Sequence, residues 1–418
     1  MRLIRLTTKI HYAGSKRILF LIMGVMMGYS AGAQVQEIFL KSIALADQGA
    51  YQEARTELEK ALSLDSDNPA YLLKLAEVCY NSGDTPSALN YCERLNTHAP
   101  GKGSYLLATI YAESGNTGEA LKYLEIHLDS QYKLPSDKIL LDDAFFSLED
   151  SPEWKKLWSR DWYSADEELL QEIRYLTVSG EYLQSLETID EELPWRKNWD
   201  ELHAARGKVL LKMGQYQGAI QSYSDAIALA SEKPEHYYGR ASVYIMQGNY
   251  RQAIPDLEKT VRMEPERLDL LLETGAVYHK AGQLIRASDY LDRYLEYYPD
   301  HTEARFLAGQ ILFDSKKYID ALDQYNACLR LDTGDPRFFK ARGKTYMETK
   351  TYKYALNDLG MALDLDPYDP ETWYLKGEIR WLLNERQGAI RDWEQAARLG
   401  SYDAARKLEE MPPGTIPE

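Results

Sequence analysis

The side chains that could do chemistry are few and badly spaced for it. Beyond residue 33 the histidines are His98, His127, His203, His236, His279 and His301. No two of them stand one helical turn apart, as paired metal ligands on one helix would. Asp142-Asp143 and Glu191-Glu192 are acidic pairs. Adjacent residues point to different sides of a helix, so neither pair forms an acid/base couple, and both read as solvated acids. There is no phosphate-cradling glycine loop, no nucleophile elbow and no HExxH. The expectation is a non-enzymatic chain with no catalytic residue, metal or cofactor. Three cysteines remain: Cys79, Cys92 and Cys328. Cys79 and Cys92 fall on the two helices of one predicted hairpin, where a disulfide and a pair of small buried residues are both open readings. Cys328 reads as core.

These residues sit in elements set by a period. Over Leu202–Asp403, alanine recurs every 34 residues, at Ala219, Ala253, Ala287, Ala321, Ala355 and Ala389. Twelve residues before each stands Gly207, Ala241, Gly275, Gly309, Gly343 or Gly377. Four residues after each comes Tyr223, Leu257, Leu291, Tyr325, Leu359 or Trp393. A strict 34-residue period predicts stacked helical hairpins, none of which can bury its apolar face alone. The small residue and the alanine are expected to face each other inside a hairpin, and the large residue to fill the space between hairpins.

Composition fits a folded chain: 418 residues, 44% hydrophobic and 27% charged. A formal charge of −16 argues against nucleic acid as the main partner, since phosphate binding needs concentrated Lys and Arg. The first residues differ from the rest. Arg2, Arg5, Lys9, Lys16 and Arg17 precede an apolar run, Ile18–Met27, and then Ala31-Gly32-Ala33. That layout predicts a signal peptide over 1–33, cleaved after Ala33, and export to a periplasm. The run is short of the roughly 20 residues of a membrane span, and no cysteine follows it for lipid attachment. Loss of the five cations takes the charge from −16 to −21.

Residues 34–130 hold three units, marked by Gly49 and Ala54, Gly83 and Ala88, and Gly115 and Ala120. The glycines stand where a left-handed helix cap favours them. Residues 131–165 break the pattern and form an irregular, tryptophan-rich joint. Ser151-Pro152-Glu153 reads as a helix start. Trp154, Trp158 and Trp162 then recur every four residues and, on one helix, form a broad aromatic stripe. This stripe is either a docking surface or a seal over the end of the first array. A second block of about seven units spans 166–403, beginning with a degenerate unit that has Ser185 in place of alanine. Residues 404–418 supply a capping helix and the tail PPGTIPE.

The sequence ELHAARGKVLLKMGQYQGAIQSYSDAIAL, with Gly207, Tyr216, Ala219, Tyr223 and Ala226, resembles a tetratricopeptide (TPR) repeat. Pro265, Pro299 and Pro367 match that family's helix-ending proline. The resemblance covers Val35–Ser130 and Asp166–Asp403. It departs at Ser185, at Lys316, Lys350 and Asn384 in place of the turn glycine, and at Tyr294. It implies an all-α, right-handed α-solenoid of about ten helix-turn-helix units in two blocks, with the first helix of each unit lining a concave face.

Adding 34 along those helices gives the rows of the face. One is Ala204, Tyr238, Leu272, Phe306, Lys340, Tyr374; another is Leu211, Ile245, His279, Phe313, Met347, Trp381. Large apolar side chains at such positions suit an extended peptide or an inserted helix. Tyr238, Leu272, Phe306, Phe313, Lys340, Lys344, Tyr374 and Trp381 are therefore the candidate partner-binding groove. Lys340 and Lys344 lie one turn apart and can grip a carboxylate. A third row, Glu201, Glu235, Asp269, Glu303, Arg337, Glu371, is charged, and helix-dipole chemistry accounts for it. The expected function is that of an exported scaffold or adaptor binding a polypeptide during envelope or secretion-complex assembly. Self-assembly without a groove ligand, and glycan binding, are the alternatives.

Overall fold

A computed structural model describes residues 32–411. The signal-peptide expectation, apart from residues 32 and 33, and the tail 412–418 lie outside the described residues. All regular structure among the described residues is helical. Two compact units divide the chain, the first ending at Leu229 and the second beginning at Ala230. This division falls inside the strict 34-residue register.

The first unit opens with a hairpin of residues 32–47 and Tyr51–Leu64. Pro69–Asn81 with Thr85–His98, and Ser104–Glu113 with Thr117–Leu128, follow. Short elements come next: Ser136–Leu140, a 3-10 helix over Asp143–Leu148, and Pro152–Trp158. Two further hairpins, Ala165–Val178 with Tyr182–Glu192 and Asp200–Lys212 with Tyr216–Leu229, complete the unit. The second unit stacks five hairpins and ends in the helix Tyr402–Glu409. Both units are built as an all-α solenoid is, from hairpins packed on their neighbours.

Each tight turn requires one left-handed residue. Gly49, Gly83, Gly115, Gly180, Gly214, Gly248 and Gly282 supply it with φ between 72° and 83°. Lys316 and Lys350 adopt the same conformation at 60°, and Asn384 at 64°. The three substitutions at the turn glycine therefore leave the turn intact and put a Cβ where L residues are strained.

Inside the hairpins the packing differs from the expectation. The six ladder alanines are fully buried. At the five glycines twelve positions earlier, however, the side chain nearest to an added Cβ is the large one sixteen residues on, and at Gly275 and Gly343 the carbonyl of the ladder alanine also lies close, 3.5 Å away at Ala287 and 3.4 Å at Ala355. A Cβ added at Gly309 would lie 2.5 Å from the Tyr325 ring, and one at Gly377 2.5 Å from Trp393. At Gly207 the Tyr223 ring is 2.8 Å away. The reason is reach: an alanine side chain ends at Cβ, whereas a ring sixteen residues on spans the gap between the two helices. Ser185, at the alanine site of the degenerate unit, is fully buried and satisfied by Thr177 Oγ1 at 3.1 Å and the Ile173 carbonyl at 3.3 Å.

The tryptophans require a correction. Ser151 caps its helix as expected, accepting from the Trp154 N–H at 3.1 Å. That helix ends at Trp158, so the three rings do not form a stripe on one helix. The Trp162 indole N–H turns back to the Leu157 carbonyl at 2.8 Å. Trp154 and Trp162 are 5% and 8% exposed, and with Phe145, Leu128 and the half-buried Trp158 they form one apolar cluster. Rings so enclosed give a partner little area, and they close the end of the first three hairpins.

Candidate polypeptide-binding groove

In the second unit the first helices of four successive hairpins, Asp269–Lys280, Thr302–Asp314, Pro336–Glu348 and Pro370–Leu382, line a hollow of about 650 Å³. Leu272, Ala276, Phe306, Leu307 and Ala341 supply its apolar lining. Glu303, Arg337, Lys340, Lys344 and Glu371 supply the charge around it. A smaller hollow of about 190 Å³, with His279, Phe313, Asp314 and Tyr325, shares Gln310, Ala341 and Lys344 with the first. His279 Nε2 lies 2.7 Å from Asp314 Oδ2.

Of the residues singled out from sequence, Leu272, Phe306, Lys340 and Lys344 line the larger hollow, and Phe313 and Lys344 the smaller. All are half-buried. Phe306 packs 5.2 Å from the Phe338 ring and 5.9 Å from Tyr325, so one of its faces is committed to the scaffold. Tyr238, Tyr374 and Trp381 line neither hollow. The Tyr238 hydroxyl donates to Glu273 at 3.1 Å. Burial, ahead of the nearby Asp269 charge, raises the Glu273 carboxyl above its ordinary range. Tyr374 packs beside Trp393 in the last hairpin's apolar cluster. Trp381 lies 5.3 Å from the Trp393 ring, with Arg386 over it at 3.7 Å.

Lys340 and Lys344 do grip carboxylates, and those carboxylates belong to the chain itself. Lys340 reaches Asp369 at 2.9 Å and Glu371 at 3.2 Å, and Lys344 reaches Glu371 at 2.8 Å. Burial works to raise the Glu371 carboxyl, but the hydrogen bond from Lys344 and both lysine charges bring it below its usual value. Across the hollow, Arg337 pairs with Glu303 and with Asp335. At Glu303, Arg337 and Glu371 the charged row thus links one hairpin to the next. Its signal was in the row itself: Glu303 and Arg337 are opposite charges 34 residues apart.

Sequence reasoning also missed a buried staple. Arg240 and Arg342 each hold the aspartate sixteen residues on, Asp256 and Asp358, through two hydrogen bonds of 2.7–2.8 Å. Arg342 adds a bond to Asn326 of the preceding hairpin at 2.7 Å. The recurring Arg and Asp at that spacing was the available clue.

Cys79, Cys92 and Cys328 are buried free thiols. Cys79 packs with Ala88 and Ile110, and Cys92 with Ala76 and Leu107. Burial pushes Cys92 up to about 12 and Cys328 to about 11. Among the described residues no group of three His, Cys, Asp or Glu could hold a metal ion, and no helix is long and apolar enough to cross a membrane.

Comparison with known proteins places these hairpins. A family model described as tetratricopeptide repeat matches residues 45–105, and one described as TPR repeat matches 207–248. A third, for anaphase-promoting complex, cyclosome, subunit 3, matches 246–328. No curated protein matches the sequence. Among solved structures, the chain is similar to YrrB, a TPR protein with an unusual peptide-binding site. The two share 29% identity over 43% of this chain and 92% of that one, with a TM-score of 0.38. A tetratricopeptide repeat protein from Parabacteroides merdae is 19% identical over 58% of this chain and 96% of its own, with a TM-score of 0.44. The anaphase-promoting complex hetero-tetramer Cut9-Hcn1 is 16% identical over 92% of this chain and 97% of its own, with a TM-score of 0.40.

Proposed function

Because the chain is a tetratricopeptide-repeat protein, we propose that it is a non-enzymatic adaptor that holds a polypeptide segment in the groove of its second unit. The reading rests on the hollow lined by Leu272, Phe306, Leu307 and Ala341. It is apolar where a side chain would enter, and its bordering charges are paired with one another. A partner would be held by shape and apolar anchoring, with no bond made or broken. We also propose export, from the cationic lead, the apolar run and Ala31-Gly32-Ala33, and a place in envelope or secretion-complex assembly.

A photo-crosslinking residue at Gln310, between the two hollows, tests the groove. Cells carrying it should yield a defined polypeptide adduct that Phe306→Ala reduces, while the same group at exposed Met361 yields none. Equal labelling from both sites would overturn the groove reading. Sequencing of the mature N-terminus tests export, with Gln34 as the expected first residue.

A further inference from the structure

The hairpin formed by Ala165–Val178 and Tyr182–Glu192 has a stacking face that no preceding hairpin covers. In the next hairpin, Leu202 and Val209 are buried in one cluster with Ile173 and Ile189 of this one. The same two register positions are buried in every later unit: His236 and Val243, Leu270 and Val277, Ala304 and Ile311, Phe338 and Thr345, Thr372 and Ile379. In the 165–192 hairpin those positions are Glu168 and Tyr175. Glu168 is exposed, and Tyr175 is 68% exposed.

The segment before this hairpin leaves the seat open. The short helix Ser136–Leu140 reaches Gln171 through Ser136, and Arg174 through Asp137 at 3.4 Å. It is one and a half turns long, too short to replace the second helix of a hairpin. Leu141, directly after it, is itself 74% exposed.

The charge at the seat selects an occupant. Glu168 and Glu172 are exposed and, among the described residues, their carboxylates have neither a hydrogen-bond nor an ion-pair partner. We propose that this face docks a basic amphipathic helix of a partner protein, lying where the preceding hairpin's second helix would lie. Its apolar side covers Tyr175, and its Lys or Arg side chains reach Glu168 and Glu172. A second copy of this chain fits poorly, because joining two such seats would set carboxylates against carboxylates.

The test uses the full chain and a fluorescein-labelled synthetic helix of leucine and lysine, about four turns long, read by anisotropy. A leucine–glutamate helix of the same length is the control. The leucine–lysine helix should bind, and Tyr175→Ala and Glu168→Gln/Glu172→Gln should each weaken it about tenfold or more. Met361→Ala, at an exposed site in the other unit, should leave it unchanged. Equal affinity for the two synthetic helices, or equal affinity of the seat variants and the parent, would overturn the proposal. Tighter binding by a chain beginning at Gln34 than by the full chain would also overturn it, because the basic, apolar residues 1–31 would then be the occupant.

Discussion

Arg342 clamps Asp358 with Nε at 2.7 Å and Nη2 at 2.8 Å, and the Asp358 side chain is only 2% exposed. A carboxylate so enclosed is stable because the guanidinium fork meets both oxygens. Removing one partner strands the other's charge. Arg342→Leu should therefore destabilise the second unit by about 3–5 kcal/mol, whereas Arg342→Met/Asp358→Leu, which removes both charges, should recover most of the loss. Urea unfolding followed by circular dichroism distinguishes these outcomes. A double variant no better than the single one would show that the pair itself, rather than the stranded charge, dominates.

The two mid-helix glycines Gly309 and Gly360 should respond in opposite directions to alanine. At Gly309 the new methyl meets the Tyr325 ring at 2.5 Å, and overpacking of this kind costs about 1–3 kcal/mol. At Gly360 nothing lies within 4 Å, so Gly360→Ala should gain about 0.5–1 kcal/mol from helix propensity alone. Thermal unfolding should show a lower midpoint for Gly309→Ala and a higher one for Gly360→Ala.

Lys350 occupies a left-handed turn position at φ 60° that earlier units give to glycine. Lys350→Gly should stabilise the chain by about 0.5–1 kcal/mol by removing the Cβ conflict. Asn384→Gly should gain less, since asparagine tolerates this conformation better than lysine. Urea midpoints of the two variants give the comparison directly.

His127 makes the first unit sensitive to acid. It is 2% exposed, and its Nε2 accepts from the Leu134 N–H at 2.9 Å, tying the segment after the third hairpin back onto it. Burial pushes it down from 6.5 to about 4. The unfolded chain therefore takes up the proton first as pH falls. The stability linked to this group is complete above the unfolded value and declines as pH drops from there toward 4, by about 2 kcal/mol at pH 5. His127→Gln can still accept from Leu134 and should lose this part of the pH dependence. Urea midpoints at about pH 7 and about pH 5 for parent and variant isolate it.

The hairpins were legible because their constraints repeat. A turn that needs a left-handed residue shows as Gly49, Gly83 or Gly214, and a helix pair that needs a gap shows as Gly309 with Tyr325 sixteen residues later. What was not legible is how a side chain divides its surface. Phe306 and Trp381 occupy equivalent helices, yet Phe306 lines a hollow while Trp381 packs on Trp393 beneath Arg386. Only the neighbouring hairpin decides that, and the register does not encode it. Lys340 and Lys344 were likewise readable as cations one turn apart, but their claim by Asp369 and Glu371 depends on the stacking of the next unit. The tryptophan run failed for a local reason, since the helix stops at Trp158 and a period of four means nothing beyond its end.

Tyr325 fills the gap left by Gly309 and also forms part of the wall of the smaller hollow, beside Phe313 and Lys344. It belongs to a second helix, whereas most of that wall comes from first helices. The recognition surface therefore cannot be transplanted by copying the exposed residues of the first helices onto another repeat scaffold. A graft that omits the glycine and the ring behind it would change the contour it set out to copy.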